Sequence, residues 1–379
     1  MTNSRSGARL ATRQAFLVSG FGLACWAPLV PLAKERLAIG DGSLGLLLLC
    51  LGLGSVAAMQ LAGPLTSKLG ARPAILVGGI GQAILLPFLA FMPTVPTMAV
   101  ALLLFGAFLG VIEVGMNVHA VEVEKQAARP LMSGFHGLFS VGGFVGSMLL
   151  TAVLSMGISP ITGAVTASVL MIATLALAAP QLIPTPRTEQ APLIVVPCGI
   201  VILLAALAAI TFLTEGAMLD WGALLLSSKG LLPVTQAGLG YSVFAVAMTV
   251  GRLTGDAMIA KLGDRRTMLW GGLLSIVGYV VMLLAPVAPV ALFGFLLIGL
   301  GASNVVPILF RQAGSQTVMP AGLAIASVTT IGYAGILAGP AGIGFLAEVI
   351  GLPAAFWLLT ALLSLVPLCA KAATSHGCK

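Results

Sequence analysis

What most constrains this chain is the length of its apolar runs. Stretches of about twenty apolar residues, the length a helix needs to cross a bilayer, follow one another from Ala15 to Leu368, each closed by glycine, proline or a basic side chain. Only 8% of the 379 residues are charged, against about 25% in an ordinary soluble domain. Too few charges exist to cover a water-exposed surface, whereas lipid is a solvent in which an apolar exterior costs nothing. The chain is therefore expected to be an all-α polytopic membrane protein, with no room for an appended soluble domain. The stretch Met1–Gln14, with Arg5, Arg9 and Arg13, reads as a cytoplasmic tail entering the first helix, because the apolar run after it is too long for a signal peptide and lacks a small-residue cleavage site.

Breaks at glycine, proline and charge place twelve transmembrane helices near 14–34, 43–66, 73–92, 96–121, 132–156, 160–183, 193–219, 235–260, 266–285, 288–310, 321–346 and 351–371. An even number of spans puts both termini on one side. The loops of that side hold 14 of the 18 Lys and Arg residues, the opposite loops only Lys34, Arg36 and Lys229, so the positive-inside rule makes both termini cytoplasmic. The five scattered cysteines contain no Cys-x-x-Cys pair, and neither a disulfide framework nor a metal site follows from them. The net charge of +7 is spread over short loops, which fits a membrane and not a nucleic-acid partner. No phosphate-binding loop, His-Glu-x-x-His or Gly-x-Ser-x-Gly occurs. No enzyme activity, cofactor or ATP-driven step is expected.

Sliding the chain against itself by 193 residues brings Lys68-Leu69-Gly70-Ala71-Arg72 onto Lys261-Leu262-Gly263-Asp264-Arg265. In the same register Gly78-Gly79 meets Gly271-Gly272, Gly106 meets Gly299, and Gly142 and Gly146 meet Gly335 and Gly339. Such a repeat predicts two pseudo-symmetric six-helix bundles, 1–183 and 193–379, joined by a cytoplasmic linker over 184–192 that holds Arg187 and Glu189. Small residues at helical spacing are expected to let helix backbones approach closely.

Ionisable and polar residues inside spans cost about 2.5–3.5 kcal/mol each on insertion scales and are default functional candidates. Glu113 and Asn117 are four apart and share a face of the fourth helix. Glu113, an acid tolerated mid-span best when neutral, is the first candidate for proton coupling, and Glu215 in Thr214-Glu215-Gly216 is its competitor. His136 could relay protons, or serve only as a hydrogen-bonding group. The glycine beside Glu215 suggests a locally loosened helix. Asp220 and Trp221 lie toward the outer rim, where the tryptophan equally fits an interfacial belt. Arg252 and Asp256, four apart, are expected to pair near the inner face as a structural or gating element. Asn304, Thr330 and Tyr333 can hydrogen-bond a polar solute, and Trp26 with Pro28 and Pro31 supplies an aromatic wall and a bend.

The loop Gly63-Pro64-Leu65-Thr66-Ser67-Lys68-Leu69-Gly70-Ala71-Arg72 resembles the signature of the major facilitator superfamily. Trp26-Ala27-Pro28, Glu113-Val114-Gly115-Met116-Asn117, Ser133-Gly134-Phe135-His136-Gly137, Glu215-Gly216-Ala217-Met218, Gly251-Arg252-Leu253-Thr254-Gly255-Asp256 and Asn304-Val305-Val306-Pro307 resemble the MosC-like, rhizopine-permease-like subfamily. That resemblance implies the major facilitator fold and a monomeric carrier of the inner membrane that moves a small polar organic solute, sugar- or inositol-like, by proton symport and alternating access. Its partners would be the solute, protons and the lipid bilayer. An efflux antiporter for amphipathic compounds and a transport-dead sensor are the alternatives. The resemblance also implies gating roles for Lys68, Arg72, Lys261 and Arg265 beside Arg252 and Asp256. The acid usual in the signature is replaced by Ser67, and by Ala260 in the second half, so one charge pair of the inner gate is missing. Members of the subfamily often carry arginine where Leu29 stands and a small residue where Arg311 stands.

The orientation is open to a direct test. A cysteine placed at position 187 should stay unlabelled by an impermeant thiol reagent in intact cells and react after permeabilisation; labelling from outside overturns the assignment.

Overall fold

A backbone in lipid finds no water to bond, so its N–H and C=O groups must be satisfied within each segment. The computed structural model describes residues 2–39, 41–185, 196–233 and 239–375, and among these the regular structure is helical throughout. The first pass is α1 (Thr2–Trp26) continued by α2 (Leu29–Leu37); α3 (Asp41–Leu69), α4 (Ala71–Phe91), α5 (Val95–Ala127), α6 (Met132–Ser155) and α7 (Pro160–Ala178) complete the first half. The second half holds α8 (Ile200–Asp220) with the short α9 (Gly222–Ser228), α10 (Leu239–Leu284), α11 (Ala288–Ala302) continued by α12 (Val305–Ser315), α13 (Ala321–Ile350), and α14 (Leu352–Leu363) continued by α15 (Leu365–Thr374). The expected linker falls almost entirely outside the described residues, with Arg187 and Glu189.

Nine helices among the described residues are long and apolar enough to cross a membrane, and a bent pair within α13 makes a tenth. One of the nine is α10, whose 46 residues would run about 70 Å if straight, more than twice the hydrocarbon thickness. It is broken at Gly263, whose φ of 78° is outside the helical range, and so supplies two passes. With the interrupted α1–α2 pass, whose sequence is too polar at its start for the hydropathy criterion, twelve transmembrane helices result.

Local chemistry sets the ends. Thr94 caps α5 by accepting from the Thr97 amide, Ser159 caps α7 by accepting from the Thr162 amide, and each cap is followed by a proline in the first turn. The first helix begins much earlier than expected: residues 2–14 are helical and not an extended tail, and the pass breaks at Ala27–Pro28, where proline removes a backbone donor. The seventh span starts at Ile200 rather than 193. The tenth and twelfth are each interrupted, at Ser303–Asn304 and at Ser364. No loosening is present at Gly216: α8 runs unbroken through it.

The 193-residue register reappears in three dimensions. Gly70 and Gly263 are equivalent, and both end a helix with positive φ, 87° and 78°, a conformation cheap only for glycine. Gly106 lies against the carbonyl of Leu51 and Gly299 against that of Phe244, again equivalent pairs. Gly142 lies on Leu17 and Gly335 on Ala209, equivalent to within one residue. A Cβ at these positions would strike backbone, which cannot rotate away. The described residues cluster into two compact units, one bounded by Met1–Arg129, Phe135–Val196 and Met319–Thr330, the other by Pro130–Gly134, Pro197–Val318 and Ile331–Lys379.

These close approaches predict a graded response to side chains. Gly106→Val and Gly299→Val should each cost about 3 kcal/mol or more through forced separation of packed helices, seen as loss of monodisperse protein in detergent. Gly339→Ala, which would meet only the flexible Leu213 Cδ1 at 3.2 Å, should purify and melt like the parent.

Candidate functional site: two buried carboxylates and their polar neighbours

In the first unit the site is built on α5 against α1 and α4. Glu113 is 5% exposed, and its Oε1 accepts a hydrogen bond from the Ser19 hydroxyl of α1 at 3.1 Å. One turn on, the fully buried Asn117 donates from Nδ2 to the Glu113 carbonyl at 2.9 Å. That bond fixes the amide's orientation, and the Asn117 Oδ1 is left buried with no partner among the described residues. Gln82 of α4 repeats the pattern: Nε2 donates to the Ser19 carbonyl at 3.4 Å, and Oε1 is buried without a partner. Trp26, buried at the end of α1, likewise has an indole Nε1 with no partner. His136, in the first turns of α6, is buried with its ring edge-on to Phe16, centroids 5.1 Å apart.

His119 is not part of this group. Its Nε2 accepts the Ile183 amide at 3.0 Å and its Nδ1 lies 3.0 Å from the Thr12 hydroxyl, which itself donates to the Ala8 carbonyl. Nε2 must therefore be the unprotonated nitrogen and Nδ1 the donor. The ring is a neutral clamp between α1, α5 and the segment after α7.

In the second unit, Arg252 and Asp256, expected to pair with each other, each also meet a group elsewhere in the chain. Arg252 of α10 reaches Glu215 of α8 at 3.4 Å, with side chains 11% and 17% exposed. Asp256 accepts the amides of Ser133 and Gly134, both at 3.0 Å, so it caps the first turn of α6, where unsatisfied N–H groups and the helix dipole favour an anion. Glu215 Oε1 and Asn304 Oδ1 are buried without partners among the described residues. Asn304, at the α11–α12 break, donates to the Gly251 carbonyl at 3.1 Å, and a Cβ at Gly255 would collide with its Oδ1. Glycine at 255 is thus what lets Asn304 approach α10.

Asp220 is exposed at the end of α8. Trp221, at the α8–α9 junction, has an indole Nε1 with no partner. Thr330 is buried with a partnerless hydroxyl and clusters with the first unit, whereas Tyr333, one turn on in α13, packs edge-on to Phe212 of the second, centroids 5.9 Å apart. Lys68 and Arg72 flank Gly70, Lys261 and Arg265 flank Gly263, and all four are exposed. Beside the second pair, Asp264 takes both Arg311 and, at 2.7 Å, the amide of Gln312.

Three contributors escaped sequence reasoning. Ser19 and Gln82 are polar groups within spans, and the rule that singled out Glu113, Asn117 and Asn304 covers them as well. Tyr279, fully buried with its hydroxyl donating to the Thr214 carbonyl at 3.1 Å, gave no signal, since tyrosine in an apolar helix is unremarkable. Chemically, the two units hold acceptor oxygens aimed at no protein donor, beside one carboxylate that meets a hydroxyl and one that meets a guanidinium.

Comparison with known proteins agrees with this architecture. The chain is 50% identical over 368 residues to an uncharacterized MFS-type transporter of Yersinia pestis, covering 97% of this chain and 96% of that one. It is 30% identical to the membrane protein MosC of Rhizobium meliloti over 91% of this chain and 85% of that one. Among solved structures, the fucose:proton symporter FucP of E. coli superimposes with a TM-score of 0.78 over 97% of this chain and 98% of that one, at 16% identity. The family model for the Major Facilitator Superfamily matches residues 15–317. With two six-helix halves related by a 193-residue repeat, the chain belongs to the Major Facilitator Superfamily and is a multi-pass membrane transporter of small molecules.

Proposed function

We propose that this transporter takes up a small polyhydroxylated organic solute by proton symport, with Glu113 carrying the proton. It would work as a monomer in the inner membrane with both termini cytoplasmic. The observation that carries the reading is the set of buried acceptor oxygens without protein donors, Asn117 Oδ1 and Gln82 Oε1 beside Glu113 and Asn304 Oδ1 and Glu215 Oε1 beside Arg252. A buried polar atom left without a partner costs about 1–3 kcal/mol, and a solute bearing several hydroxyl donors would remove that cost. Apolar or amphipathic cargo would leave it in place, which argues against the efflux reading.

The assignment of the proton rests on the two carboxylates' partners. Ser19 is a hydroxyl, able to donate to a carboxylate and to accept from a carboxylic acid, so Glu113 can change protonation state and keep its bond. Glu215 faces the Arg252 guanidinium at 3.4 Å, and protonating it would remove the charge that offsets a buried cation. Glu215 with Arg252 then serves solute binding, together with Asn304, Trp221, Tyr333 and the rim residue Asp220, while Asn117, Trp26, Thr330 and His136 belong to the Glu113 side. Lys68, Arg72, Lys261, Arg265 and Asp256 act in the inner gate. A proton site couples to transport only if its affinity differs between the two conformations, which a Ser19–Glu113 contact spanning two helices can provide when those helices shift.

Proteoliposomes with an imposed pH gradient test this. For one proton per solute, one pH unit supports roughly tenfold accumulation. Glu113→Gln should abolish accumulation while keeping counterflow, whereas Glu215→Gln should lose both. Full accumulation by Glu113→Gln sinks the coupling role. A second measurement concerns the acceptors: Asn117→Leu should raise the KM for a polyol substrate by roughly tenfold or more, the worth of one lost hydrogen bond in a dry site, with pH dependence unchanged.

A further inference from the structure

Three guanidinium groups gather in the first unit, with Arg9 half-buried and Arg13 and Arg129 exposed. Arg9 and Arg13 are one turn apart on α1, and Arg129 follows the end of α5. Among the described residues none of the three is given an acidic partner, and the Nε of Arg9 is buried with no hydrogen-bond acceptor. Their proximity is felt electrostatically: burial first, then Arg129 and Arg13, pushes the Arg9 guanidinium below its usual range. Between Arg9 and Arg129 lies a cavity of about 280 Å³, walled also by Ala8, Val123, Gln126 and Ala127, close to the lower end, about 300 Å³, of the range small-ligand pockets occupy. The one amide on its wall is oriented by a neighbour, since Gln126 donates to Glu122 at 2.8 Å. The Thr12–His119 contact at 3.0 Å ties α1 to α5 one turn from Arg9 and one turn from Val123.

Like charges brought together around a cavity repel one another, and an anion between them relieves that repulsion. The geometry points to a phosphate-ester site: the guanidinium forks of Arg9 and Arg129 grip the non-bridging oxygens of one phosphate, which guanidinium geometry matches, with Arg13 adding charge at the rim. This site is separate from the Glu113 group and serves neither solute nor proton. A phosphate ester could come from an anionic phospholipid headgroup of the adjacent leaflet, which basic pockets between transmembrane helices hold, or from solution.

The test uses the full purified chain. Phosphatidylglycerol is titrated against phosphatidylcholine and bound lipid counted by native mass spectrometry, and thermal protection by inorganic phosphate is measured in parallel. Arg9→Gln with Arg129→Gln should weaken binding by roughly thirtyfold, and Ala127→Phe, which fills the cavity without removing charge, should weaken it comparably. Loss confined to phosphatidylglycerol identifies a lipid headgroup; loss of protection by inorganic phosphate identifies a soluble ester. Binding unchanged in both variants overturns the proposal, as does binding lost with the arginines but kept by Ala127→Phe, which would leave the cavity without a role. Where the double variant fails to fold, Ala127→Phe alone decides.

Discussion

The absence of any hydrogen-bond partner in the bilayer is the constraint on which the rest of this structure depends. It forces every pass into a helix, and it removes the hydrophobic drive for one helix to prefer another over lipid. Contact area must then come from approach distance, and the chain obtains it with glycine. Gly106 on the Leu51 carbonyl and Gly299 on the Phe244 carbonyl bring backbones to a separation at which dispersion becomes large. The same constraint makes each break in a helix informative. The interruptions at Ala27–Pro28, Gly263 and Ser303–Asn304 free backbone groups that a straight helix would have satisfied. At the Ser303–Asn304 break the Asn304 amide ties α11–α12 to α10 by donating to the Gly251 carbonyl.

A low-dielectric interior also governs the charges. Glu215 is met by Arg252, Asp264 by Arg311, and Asp256 by two amides at a helix start. Each of these three acids therefore has a cationic or dipolar partner, as burial demands. Glu113 is met by the Ser19 hydroxyl, a weaker donor that tolerates either protonation state. His119, whose two nitrogens are committed to Thr12 and Ile183, is architecture, and the His136 ring packs edge-on to Phe16.

Much of the fold was legible because lipid imposes a simple rule on composition. Apolar run length marked the spans, and the recurrence of Lys-Leu-Gly-x-Arg at an offset of 193 marked the two halves, since the same backbone turn needs glycine with positive φ in both. Span ends were less legible. Helix α1 extends back to Thr2, although these added turns are too polar to count as part of a span. The smoothness of α8 at Gly216 shows the opposite error: in lipid, losing backbone bonds costs more than glycine's extra freedom returns, so an isolated glycine does not loosen a helix.

The sequence by itself determined the solvent, the helical class, the pseudo-repeat and which few polar residues had to be explained, because these follow from composition and spacing along one chain. It also put Glu113 and Asn117 on one face, a matter of helical period alone. Only the tertiary structure decided partnership. Residues 37 apart such as Glu215 and Arg252, or 123 apart such as Ser133 and Asp256, meet because helices cross where glycine allows, and the crossing point depends on all the packed surfaces at once. Local spacing suggested Arg252 with Asp256; the fold adds to each a distant partner, because in a medium without water strong donors and acceptors are also those the neighbouring helices carry.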